Sequence, residues 1–220
     1  MKKISIIAIM ALFATNIANA QDPEELRDSW QKTITVRATQ DPIVERFFTA
    51  WGEEFPGKIV DLFYEYKYSN GRIDKQDKDS VNVDYAPKNG FIEIYSSKST
   101  VVKEDGNFVK GEVITRENIL QAVYWNLPSG NKLFGVSIKV DEEIFSNCAV
   151  MFYEYDATKG NLTPRADIVK SVMEKMGISY PPEGEDAEIF VKLPKQGRDL
   201  KYFDYAAGAD KVIKWNGNGF

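Results

Sequence analysis

Glu65 and Glu154 are the carboxylates whose setting best suits acid–base work. Each sits in the same tetrapeptide, Phe63-Tyr64-Glu65-Tyr66 and Phe152-Tyr153-Glu154-Tyr155. In an extended strand, successive side chains point to opposite faces, so each glutamate faces away from its flanking tyrosines. Two glutamates facing one cleft, about 5 to 9.5 Å apart with one pKa raised, are the apparatus of glycoside hydrolysis. Tyr64, Tyr66, Tyr153, Tyr155 and Trp125 are the matching ligand-binding candidates, because aromatic rings stack on sugars and anchor protein partners. The same alternation of charged and apolar residues also serves a half-exposed strand with no catalytic role.

Absences narrow the remaining chemistry. The chain has no histidine. That removes Ser-His-Asp and Cys-His catalysis, His-ligated metal sites and the usual general base near neutral pH. Its one cysteine, Cys148, allows no internal disulfide, Cys-ligated zinc site or CxxC pair. The apolar run Cys148-Ala149-Val150-Met151-Phe152 makes that thiol a small buried hydrophobe. Asp74, Asp77 and Asp79 suggest calcium, but Lys75 and Lys78 stand between them and no EF-hand register fits. This stretch reads as a solvated charge run in a loop, so no metal is expected. No cofactor is expected either, since phosphate-binding glycine loops, nucleophile elbows and dinucleotide fingerprints are lacking.

Three helices and a set of short strands must position these residues. Asp22-Pro23-Glu24-Glu25 combines a capping aspartate, an early proline and a capping-box glutamate, with Leu26 and Trp30 on one face beyond. Asp41-Pro42 opens a helix whose stripe is Ile43, Val44, Phe47, Phe48 and Trp51, limited by Gly52 and Pro56. Thr163-Pro164 opens another, with Ile168, Val169, Val172, Met173 and Met176 as its stripe and Gly177 as its stop.

Strands are expected at 58–68, 81–85, 91–95, 119–127, 132–140, 149–155, 187–193, 200–205 and 211–215. The first of these is also compatible with an extension of the preceding helix. Pro87-Lys88-Asn89-Gly90 is a hairpin turn between two of them. The passages Leu127-Pro128 to Leu133 and Leu193-Pro194 to Leu200 echo one another, as the two Phe-Tyr-Glu-Tyr runs do. Duplication of a hairpin unit and convergent turn chemistry both account for the match.

The first twenty residues read as a cleavable export signal. Lys2 and Lys3 precede an apolar run from Ile4 to Ile17, and Ala18-Asn19-Ala20 is the small-x-small pattern of a cleavage site. The run is short for a membrane span, and no cysteine follows the cleavage point to carry lipid. Cleavage after Ala20 removes two lysines and takes the formal charge from −5 to −7. Such acidity opposes nucleic acid and anionic lipid as partners.

The expected architecture is therefore α+β: residues 1–20 a signal peptide, and 21–220 one domain with a mainly antiparallel sheet of seven to eight strands built from hairpins. Residues 21–56 form a helical N-terminal segment. Residues 57–220 form a β-rich body containing the helix near 164–176, with the helices on one side. The expected function is that of an exported, periplasmic or secreted, non-enzymatic protein that binds a protein or glycan outside the cytoplasm. The alternative is a glycan hydrolase using Glu65 and Glu154.

Overall fold

The computed structural model describes residues 22–69, 71, 79–101, 113–141, 146–182 and 188–220. Residues 1–20, where an export signal is expected, and Asp74 and Asp77 lie outside the described residues, and Asp79 opens a strand.

In chain order the elements are α1 (Pro23–Ser29), β1 (Ile34–Thr35), α2 (Ile43–Glu54), α3 (Lys58–Tyr68), β2 (Asp79–Ala86), β3 (Phe91–Val101), β4 (Val113–Asn126), β5 (Lys132–Asp141), β6 (Ser146–Asp156), β7 (Asn161–Pro164), α4 (Ala166–Met176), β8 (Leu200–Asp204) and β9 (Ala209–Ile213). Strands β1 to β7 form one antiparallel sheet in the order β1-β7-β6-β5-β4-β3-β2. β8 and β9 form a separate two-stranded sheet. The α+β class with a mainly antiparallel sheet is thus the observed one.

The sheet is covered on both faces, not one. Tyr153 and Phe152 are neighbours on β6 and point oppositely. On the Tyr153 side lie α1, α2 and α3: Trp30 meets Tyr153 edge-on at 5.5 Å, Phe47 packs on Phe134, and Phe63 packs on Tyr85. On the Phe152 side lie the C-terminal segment and α4. Phe220 packs on Phe152 and Trp125, and its carbonyl accepts the Ser171 hydroxyl. Phe47, Phe48 and Trp51 are almost wholly buried. Each such side chain is worth roughly 1.5–3 kcal/mol of transfer free energy.

Residues 58–68 are helix, not strand, so the β-rich body begins at Asp79. The physical reason is spacing. Ile59, Val60 and Phe63 are the buried positions, a helical interval rather than a two-residue one. Their face meets α2, where Phe63 lies 5.0 Å from Phe48. Gly52 does not end α2; the helix runs on to Glu54. A Cβ on Gly52 would come within 2.7 Å of Val60 Cγ1, so glycine is what lets the two helices approach.

Two further boundaries move. Thr163-Pro164 closes β7, paired with Tyr153 and Glu154, and the helix starts only after Arg165. Residues 188–193 carry a single bridge, Lys192 to Lys201, in place of a strand. Of the two Leu-Pro passages, the first turns the β4–β5 hairpin and the second is a loop leading into β8.

Candidate functional site

Alternation builds the β8–β9 hairpin. Leu200 and Tyr202 turn inward while Lys201 and Phe203 turn outward, and Ile213 is buried beside exposed Val212. Asp204 Oδ1 accepts the Ala207 N–H at 2.9 Å and closes the connecting turn. The bridge between Lys192 and Lys201 adds residues near 192 along the free edge of β8.

Four contacts fix this small sheet to the large one. The buried Gln121 side chain donates to Glu93 and accepts the Leu193 N–H at 2.8 Å. Trp125 Nε1 donates to the Arg198 carbonyl at 3.1 Å. Lys195 pairs with Asp84 on β2. Trp215 stacks on Trp125 with ring centroids 5.8 Å apart, so the end of β9 is held by the residue that also holds Arg198.

The outward face of the hairpin, with the 194–198 loop as its rim, forms an open groove of about 630 Å³. Lys192, Lys195, Arg198, Lys201 and Lys214 line it against Asp199 and Asp210. This is a cationic surface on an acidic chain. Asp199 is fully engaged: Lys214 and the Trp215 N–H both donate to it, which holds its carboxyl below the usual aspartate range. Lys195 and Lys214 therefore have carboxylate partners, whereas no ion pair among the described residues engages Lys192 or Lys201. These two lysines oppose each other directly across the bridge. Like charges so placed repel.

Aromatic surface completes the groove. Phe203 is 43% exposed, Tyr205 71% and Val212 46%. The Phe203 and Tyr205 rings meet edge-on at 5.1 Å. These are three of the five large hydrophobic residues left exposed among the described residues, gathered on one hairpin. A single exposed apolar residue needs no explanation; a contiguous patch beside cations does.

The structure does not bring Glu65 and Glu154 together. Glu65 is an exposed residue of α3, which covers the Tyr153 side of the sheet. Glu154 shares the Phe152 side, where Arg165 Nη1 and Asn131 Nδ2 both donate to its carboxylate. The sheet stands between them.

Most of the aromatic candidates serve the interior. Tyr153 is buried, with its hydroxyl donating to the Trp30 carbonyl at 2.9 Å, and burial pushes its phenol pKa upward. Tyr155 packs on Phe47, and Tyr64, half-buried on α3, has its pKa raised by desolvation. Tyr66 lies against Gly71. Trp125 is 4% exposed and positions the groove from below without lining it. Cys148 is buried as expected, its thiol reaching the Glu188 carbonyl at 3.2 Å. Among the described residues no group of acidic or thiol side chains could hold a metal.

Sequence reasoning passed over Lys192, Lys201, Phe203 and the anchor Gln121. One signal was present: Gln121 is a polar residue inside the apolar run Ile119-Leu120-Gln121-Ala122-Val123. A buried amide needs partners, and its partner here is the backbone of the groove segment.

No helix among the described residues is long and apolar enough to cross a membrane. No protein-family model matches this chain, and no curated protein or solved structure matches it.

Proposed function

We propose that the chain is exported, is processed after Ala20, and acts outside the cytoplasm as a non-enzymatic binding protein for a protein or glycan. Its recognition surface is the outer face of the β8–β9 hairpin. The observation that carries this reading is the concentration of exposed Phe203, Tyr205 and Val212 beside Lys192 and Lys201, which have no ion-pair partner among the described residues, on a hairpin bolted to the large sheet. Rigid anchoring lowers the ordering cost of binding, and aromatic residues supply contact area at small entropic loss. The export reading is supported by residues 1–20.

Two measurements test it. Protein recovered outside the cytoplasm should begin at Gln21, and recovery only of intact chain from the cytoplasm removes the export half. Immobilised protein should retain a partner from envelope extract that a Phe203→Ala/Tyr205→Ala variant loses. Retention of the same material by both proteins would remove the groove from the function.

A further inference from the structure

We infer that the groove takes a linear glycan bearing carboxylates, a polyuronate; this rests on the binding reading above. The groove presents two unlike surfaces side by side. Lys192 and Lys201 stand opposite each other across the bridge, both exposed, with no carboxylate partner among the described residues. Phe203, Tyr205 and Val212 form the apolar half.

A ligand that satisfies both must carry dispersed negative charge and an apolar face within one repeat. A uronate ring does so, with one carboxylate and a C–H face that lies on an aromatic ring. An anion bound between two cations placed on opposed backbone positions gains attraction from both, which gives the groove charge complementarity to a carboxylate. The compact ammonium groups of Lys192 and Lys201 accept a carboxylate from any direction, and it is the apolar half of the groove that sets a uronate chain apart from a phosphate chain. The groove is open, as a chain threading through it requires, and its volume falls within the range of about 300–1,000 Å³ usual for ligand sites.

An acidic peptide supplies charge but lacks the stacking ring face in each repeat. A neutral glycan supplies the face without the charge. This contrast makes the test decisive.

The full chain, processed at Gln21, is titrated by fluorescence with polygalacturonate, dextran, poly-L-glutamate and a single-stranded oligodeoxynucleotide. Polygalacturonate is expected to bind at least about tenfold more tightly than each of the others, and more weakly as salt rises from about 0.05 to 0.5 M. Lys192→Gln/Lys201→Gln and Phe203→Ala/Tyr205→Ala should each weaken it about tenfold or more. Lys170→Gln, on the solvent side of α4, should leave it unchanged. All four groove residues are exposed, so the variants keep the fold, checked by unchanged circular dichroism.

Equal binding of poly-L-glutamate or the oligonucleotide, insensitive to the aromatic variant, would overturn the inference in favour of a charge-only surface. Binding of dextran alone, lost in the aromatic variant, would overturn the inference while leaving the binding function standing. If none of the four probes binds and the envelope pull-down is also unaffected by the aromatic variant, both fail.

Discussion

Trp125 donates its indole N–H to the carbonyl oxygen of Arg198 at 3.1 Å, so a core residue of the interior strand β4 sets the position of an exposed loop. The same ring stacks on Trp215, two residues beyond the end of β9. Shape at the groove is therefore an output of packing beneath the hairpin. Gly135 makes room for this arrangement, since a Cβ there would meet both Trp125 and Phe152 at 2.9 Å.

Trp125→Phe keeps an aromatic ring but removes the donor and part of the stacking surface. It is expected to cost about 1–2 kcal/mol, combining a lost hydrogen bond with a small cavity. Urea denaturation should show the loss. Partner binding should weaken although no groove-lining atom has changed, and full retention of binding would show that the loop holds its place without the indole.

Glu45 on α2 is 3% exposed, and its carboxylate receives the Tyr85 hydroxyl at 2.6 Å and the Lys67 ammonium. This joins α2, α3 and β2 through one buried charge. Glu45→Ala leaves Lys67 and Tyr85 without it and should destabilise by about 2–4 kcal/mol, toward the low end because Lys67 is partly exposed. Glu45→Leu/Lys67→Met removes both charges and should cost much less than the single change. A double variant as unstable as the single one would show that packing, not the stranded charge, dominates.

Burial pushes the Cys148 thiol up from its ordinary 9.0 to about 12, with Lys139 and Arg27 opposing the shift and Asp141 and Glu188 adding to it. The folded pKa is raised, so the stabilising contribution is fully present below about pH 9 and is lost as pH climbs toward 12. Across that window each pH unit is worth up to about 1.4 kcal/mol for this one group. Stability of the native protein should therefore fall more steeply on the alkaline side than that of Cys148→Ala. The native thiol should also react with a disulfide reagent far more slowly than the urea-unfolded chain at pH 8. Equal slopes and equal reactivity would place the thiol in water.

The large sheet was legible in the sequence because its signals are local. Pro87 to Gly90 and the Gly130 turn each join neighbouring strands, and the alternation between them needs no distant partner. Residues 58–68 were not, since Phe-Tyr-Glu-Tyr is helix at 63–66 and strand at 152–155. Neighbours decide between them: α2 offers a helical face to Phe63, while β5 offers a strand edge to Phe152. The groove was less legible still. Its parts are brought together by two hydrogen bonds, one accepted by Gln121 and one donated by Trp125, that join residues 72 and 73 positions apart. Lysines 192 and 201 look like ordinary solvated charges until the bridge sets them side by side.

That juxtaposition has a cost in the free protein, which gives the last prediction. Directly opposed like charges on neighbouring strands destabilise by up to about 1 kcal/mol. Lys201→Gln removes the repulsion, so it should raise the unfolding free energy measured by urea denaturation by about 0.2–1 kcal/mol at low salt. Lys201→Glu replaces repulsion with a cross-strand ion pair to Lys192 and should raise it further. Salt separates the causes. Added salt screens exposed charges, so it should stabilise the wild type, leave Lys201→Gln nearly unmoved and weaken the Lys201→Glu pair. Both substitutions should at the same time weaken anion binding, since a site held in electrostatic conflict gains stability when its ligand-binding charge is removed. A Lys201→Gln protein less stable than wild type at low salt would mean that the two ammonium groups already turn apart, and that the conflict does not exist.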